Sequence, residues 1–176
     1  MDEKLQARIE KIKMVLFDVD GVLTAGEIIF DDNGVESKVF NAQDGVGIKY
    51  LIRCGLKTGI ITGRTSKAVE FRANELGITD VYQKALDKVL VFEKILKVHV
   101  IDPEEICYAG DDLADIPVLR RAGLAVAVEN AGVEVKEVAH YITKRPGGKG
   151  AAREIAELIL KAQNKWEGLM KKYLER

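Results

Sequence analysis

Short, continuous apolar runs recur along the chain, separated by longer stretches with apolar residues at helical spacing. The runs are KMVLFDV at 13–19, LKTGIIT at 56–62, EICYAG at 105–110 and LAVAV at 124–128. Between them, DGVGIKYLIRCG, SKAVEFRANELG, KVLVFEKILKV and LADIPVLRRAG each show the periodicity of a helix with one buried face. Gly55, Gly77 and Gly123 fall where helices are expected to stop. Strands alternating with helices predict an α/β fold: a doubly wound, mostly parallel sheet with helices on both faces. Ligands of such sheets sit beyond the carboxyl ends of the strands.

One segment breaks the alternation. GEIIFDDNGVESKVF, residues 26–40, predicts two strands around a DDNG turn, inserted in the first strand-to-helix crossover. Two interpretations stay open, a flap over a site or a plain surface hairpin. From Gly150 a long terminal helix is expected over 150–173, with Ile155, Leu158, Ile159, Ala162, Trp166, Leu169 and Tyr173 on one stripe. There is no repeat or linker, so residues 1–176 are expected to form one domain.

Composition narrows the class. A chain of 176 residues can bury about 70% of its unfolded surface in a single core. Lys and Arg number 27 against 28 Asp and Glu, which gives no global attraction to nucleic acid. No apolar run reaches membrane-spanning length, and the opening MDEKLQARIEKIK has no signal-like core. Cys54 and Cys107 form no CxxC pair and read as reduced thiols among apolar neighbours. A cytoplasmic protein that binds neither nucleic acid nor membrane is expected.

The chemistry begins at VLFDVDGVLT, residues 15–24, where Asp18 and Asp20 follow an apolar run at once. Carboxylates against a core are costly unless something pairs with them. A calcium loop would need further ligands before its glycine and a closing glutamate, and neither is present. Other strand ends add partners. Thr62, Gly63 and Arg64 follow one strand, Asp111 and Asp112 follow another with Asp115 a turn later, and Lys88 opens a helix. Taken singly, each has a plain alternative as a cap, a helix N-terminal acid or a solvated lysine.

Together they suit phosphoryl transfer. Crowded carboxylates repel one another, and a hard cation such as magnesium relieves them while accepting phosphate oxygens. Asp18 is then placed to attack phosphorus, and Asp20 to protonate the leaving oxygen and later deprotonate water. Lys88, Thr62 and the backbone amides of the Thr–Gly63 turn would hold the equatorial oxygens.

DVDG, ITGR, a downstream lysine and GDDLAD, in that order, resemble the haloacid-dehalogenase superfamily in its phosphatase form. The stretches FNAQDGVGI, ITGRTS, GDDLADIPV and GGKGAAREI extend the resemblance to its 3-deoxy-D-manno-octulosonate 8-phosphate (KDO 8-phosphate) phosphatases. LTAG stands where relatives often carry LTDG, outside the chemical set. The resemblance implies magnesium held by the Asp18 carboxylate, the Asp20 main-chain carbonyl and Asp111, with Asp112 and Asp115 orienting Lys88 or metal-bound water. It also implies no large cap domain, with a homotetramer covering the active sites instead, an acidic sugar phosphate substrate, and a role in lipopolysaccharide precursor synthesis.

The substrate carboxylate calls for a guanidinium. Arg64 and Arg72 match the family's substrate-binding positions, Arg72 with a surface salt bridge as its alternative. PGGKG before the last helix is open between an anion cradle and a helix start. His99 and His140 have no evident partner. Rival functions are a phosphatase of a nine-carbon sugar acid phosphate, a phosphorylated receiver and a silent sugar-binding module. Asp20 argues against a receiver, because a group that hastens dephosphorylation defeats a lasting signal.

Overall fold

The computed structural model describes residues 2–175. Its centre is a six-stranded sheet built from β1 (Met14–Phe17), β4 (Lys57–Ile61), β5 (Asp80–Tyr82), β6 (Ile106–Gly110), β7 (Leu124–Ala127) and β8 (Tyr141–Ile142). The order is β5-β4-β1-β6-β7-β8, and every neighbouring pair is parallel. The chain builds leftwards from β1 and then returns to build rightwards, so the strand order reverses at β1. Asp18 stands at that switch point.

Helices α2 (Ala42–Arg53), α3 (Lys67–Leu76), α4 (Lys88–His99), α5 (Ile116–Leu119) and α6 (Val133–Val138) are the crossovers between successive parallel strands. Helix α1 (Glu3–Glu10) and helix α7 (Ala151–Ala162) pack together, and α7 also packs on α2. The central strands β1, β6 and β7 are buried throughout, which is why they read as unbroken apolar runs. The short edge strands β5 and β8 carry weaker patterns and were not expected.

The structure corrects four other expectations. The terminal helix is two helices, α7 and α8 (Trp166–Leu174), because Asn164 takes a left-handed conformation (φ 55°) and Lys165 N closes on the Leu160 carbonyl at 2.8 Å. The stripe still holds up to Leu169, but Tyr173 is exposed. LADIPVLRRAG holds only the four residues of α5 after a 3-10 turn at Leu113–Asp115, so Gly123 follows no helix end. The histidines are partnered: His99 lies 2.8 Å from Asp80 Oδ1 and 2.7 Å from Lys57 Nζ, while His140 Nδ1 accepts from Ala125 N. The hairpin is present but reduced, with two residues in β2 (Ile29–Phe30) and two in β3 (Glu36–Ser37). Its turn is held by the Asp31 carboxylate, which accepts from Asn33 N and Val35 N.

Candidate active site

Register brings the strand ends together. Phe17 pairs with Ile60 on one side and Ala109 on the other, so Asp18, Thr62 and Asp111 leave three adjacent strands on the same edge. Lys88 joins them from the first turn of α4, whose start Asp87 caps through the amides of Val89 and Leu90. Its buried ammonium lies 3.0 Å from Asp18 Oδ1 and 2.6 Å from Asp115 Oδ1. Burial works against that charge, yet Asp18 and Asp115 together hold the Lys88 pKa above its usual value. The two ion pairs favour its charged form inside the site.

Asp115 is saturated. Its Oδ1 also accepts from the Tyr108 hydroxyl at 2.6 Å, and its Oδ2 accepts from the amides of Asp111 and Asp112. It therefore serves to orient Lys88. Asp112 does not share that task, because its exposed carboxylate folds back to cap the turn at Leu113 N.

Asp111 is the opposite case. Its Oδ1 is buried with no hydrogen-bond partner. Burial, then Asp18 and Asp115, push its pKa up to about 7, and burial and Asp115 push Asp18 up to about 6 against the pull of Lys88. Carboxylate oxygens of Asp18, Asp111 and Asp115 lie within 4.8 Å of one another. Among the described residues no donor reaches the Asp20 carbonyl. An all-oxygen donor set with an unpaired buried carboxylate fits a hard divalent cation. Gly21 is the residue that makes room: at φ +92° a Cβ there would lie 1.9 Å from Asp111 Oδ2.

Thr62 is buried behind the next strand end, and its carbonyl accepts from Ala85 N while its hydroxyl accepts from Arg64 N. Gly63 is exposed beside it. Arg64 swings the other way, donating to Glu36 Oε1 at 2.6 Å and standing 3.8 Å from Asp20 Oδ2. Arg72 is not gathered into this cluster. It donates to Glu75 Oε2 and to the Asn41 carbonyl, with its guanidinium over the Phe40 ring. The amides of PGGKG are all occupied, Gly147 by Asn130, Gly148 by the Val22 carbonyl, Lys149 by the Pro146 carbonyl and Gly150 by Asp44. That loop packs on the turn after β1, and its amides are not free to cradle an anion.

Three features of the site went unrecognised in the sequence. Lys38 reaches from the hairpin to the Asp20 carboxylate, with Glu36 between it and Arg64. Residues 36 and 38 stand two apart around the end of β3, and opposite charges at that strand spacing were a legible signal. Asp44, buried in α2, accepts from Gly150 N and Arg153 N and so starts α7. Tyr108 sits behind Asp115, and burial and the nearby carboxylates raise its pKa well above the ordinary tyrosine value.

A doubly wound sheet with a nucleophile-ready aspartate at its switch point, a buried lysine and a cation-ready acidic cluster defines a class. Residues 65–155 match the haloacid dehalogenase-like hydrolase family, and the chain belongs to it. It is 45% identical over 167 residues to the 3-deoxy-D-manno-octulosonate 8-phosphate phosphatase KdsC of Yersinia pestis, covering 95% of this chain and 89% of that protein. The crystal structure of a probable YrbI family phosphatase from Pseudomonas syringae pv. phaseolica superposes with a TM-score of 0.97 at 48% identity, covering 99% of both chains. The Moraxella catarrhalis KDO 8-phosphate phosphatase, solved with magnesium, phosphate and KDO, superposes at 0.96 with 39% identity over 98% of this chain and 99% of that one. Within the hydrolases, the chain is a member of the KDO 8-phosphate phosphatase family.

Proposed function

We propose that the protein hydrolyses KDO 8-phosphate to KDO and phosphate, in the cytoplasmic synthesis of lipopolysaccharide precursors. The observation that carries this is Lys88 bridging Asp18 and Asp115 beside the unpaired buried oxygen of Asp111. Asp18 attacks phosphorus and the bond to the sugar oxygen breaks. The carboxyl of Asp20 gives that oxygen its proton. Water then attacks the aspartyl-phosphate, losing its proton to Asp20, and Asp18 is released. Lys88 and Thr62, with the amides at Gly63, hold the phosphoryl oxygens. Magnesium, held by Asp18, Asp111 and the Asp20 carbonyl, supplies positive charge against those oxygens when bound.

Arg64 is assigned to the substrate carboxylate, with Glu36 giving way to it. Arg72 is assigned to the rim of the substrate site, shaping the Phe40–Asn41 loop through the contacts described. Homotetramer assembly is part of the same proposal. Ile28, Ile29, Phe30, Val35 and Val39 leave an exposed apolar hairpin that further subunits would cover. The test is phosphate release from a panel of eight- and nine-carbon acidic sugar phosphates and small neutral esters, with and without magnesium. Magnesium-dependent turnover fastest on KDO 8-phosphate, and abolished in Asp18→Asn, is expected. A preference for the nine-carbon substrate overturns the assignment of the sugar, and an active Asp18→Asn overturns the covalent route.

A further inference from the structure

We propose that Lys38 is a positioning residue for the acid/base carboxyl, making the hairpin a working part of proton transfer; this rests on Asp20 being that acid/base. The Lys38 side chain is only 1% exposed although its backbone lies on an open hairpin. Its ammonium meets the Asp20 Oδ1 carboxylate oxygen and lies 3.4 Å from Glu36 Oε1. Burying an ammonium is costly without such partners. Among the described residues Lys38 makes the one hydrogen bond to the Asp20 side chain, and the Arg64 guanidinium stands off at 3.8 Å. Without Lys38, no hydrogen bond from the described residues would fix the orientation of the Asp20 carboxyl, leaving only the Arg64 guanidinium 3.8 Å from Oδ2.

The two lysines divide the site. Lys88 serves the nucleophile from the start of α4, and Lys38 serves the acid/base from the hairpin. With Oδ1 held by Lys38, Oδ2 is the oxygen that accepts no hydrogen bond, with Arg64 Nε 3.8 Å away, and is the one free to carry the proton. When the Asp18–phosphorus bond forms and the bond to the leaving oxygen breaks, that oxygen takes the proton and Asp20 is left ionised against the Lys38 ammonium. A misaligned carboxyl costs most where the leaving oxygen most needs the proton. It costs little where the leaving group departs as a stable anion.

The test compares Lys38→Met with the unmutated full-length protein in magnesium. It measures kcat/KM, which reports steps up to leaving-group departure, on 4-nitrophenyl phosphate, phenyl phosphate and KDO 8-phosphate. The loss should grow along the series, from within about 3-fold through about 10-fold to about 100-fold, inside the range of general acid catalysis. A uniform loss would show that Lys38 serves the fold or phosphate binding, and no loss would show that Asp20 needs no such support. Either result overturns the proposal. If the unmutated protein leaves KDO 8-phosphate intact, the substrate assignment falls, and the two aryl esters still decide the role of Lys38. Should Lys38→Met not fold, Lys38→Arg keeps the charge but shifts the donors. The same graded loss at smaller amplitude is then expected, and a uniform loss rejects the idea.

Discussion

The site has two sides built in opposite ways. On the sheet side, Asp18, Lys88, Asp115 and Tyr108 are buried: Asp18 follows β1, Tyr108 lies within β6, Asp115 closes the 3-10 turn after it, and Lys88 opens the capped α4. On the hairpin side, Lys38, beside Glu36, reaches Asp20 from a ribbon of two paired residues per strand, and Arg64 joins them from the loop after β4. An isolated two-stranded hairpin is barely stable in water. Its buried ion pair to Asp20 and the contact of Phe40 with the core are what tie it down. Under the proposed function the sheet side would carry the nucleophile and its cation, and the hairpin side would hold the acid/base Asp20 and the Arg64 assigned to the sugar carboxylate.

Removing a charge from each side should separate these tasks. Lys88→Ala takes the cation from between two buried carboxylates, so turnover should fall by on the order of 10³-fold on acidic and neutral phosphomonoesters alike. Stopped assays of phosphate release on both ester types measure this, and a loss confined to acidic sugars would place Lys88 outside the phosphoryl site. Arg64→Ala should instead lose about 10- to 100-fold in kcat/KM on KDO 8-phosphate, the value of one charged hydrogen bond, with little change on a small neutral ester. Equal losses on both would move Arg64 to the phosphate.

A smaller effect should follow from the outer face of the hairpin. Ile29→Asp together with Val39→Asp places charge on its exposed apolar side chains and should dissociate the assembly with a several-fold loss of activity. Sedimentation alongside activity tests it. A fully active monomer of the unmutated protein at low concentration would reject the link between assembly and flap.

The mildest test concerns the metal-free sheet side. Asp18 and Asp111 have pKa values near 6 and 7 in the fold, above the ordinary aspartate value of 3.8. Between about pH 4 and 7 the folded protein therefore binds more protons than the unfolded chain, and stability falls as pH rises. The metal-free thermal midpoint should drop by about 3–10 °C from pH 5 to pH 8. Magnesium, which binds the ionised carboxylates, should restore more of it at pH 8 than at pH 5. Equal magnesium stabilisation at both values would place the cation elsewhere.

Much of the sheet side was legible in the chain. Asp18, Thr62 and Asp111 each follow an apolar run long enough to be a buried strand, and a parallel sheet collects strand ends on one edge whatever its details. The acidic, hydroxyl and lysine chemistry at those ends follows from residue type alone, since those groups are expensive near a core without a partner or a cation. What the sequence could not decide were contacts set by side-chain direction across distant segments. Asp115 rather than Asp112 holds Lys88, because only Asp115 turns inward over Tyr108 and the two amides. The PGGKG amides are spent on Asn130, Val22, Pro146 and Asp44, partners 3 to 126 residues away along the chain. Arg72 lies eight residues after Arg64, yet packing on Phe40 and Asn41 keeps it out of the aspartate cluster. Lys38 finds Asp20 only because the hairpin folds back over the catalytic turn. Periodicity records which face of an element is buried, and it carries no record of which buried polar group meets which, so those pairings were decided by the tertiary structure.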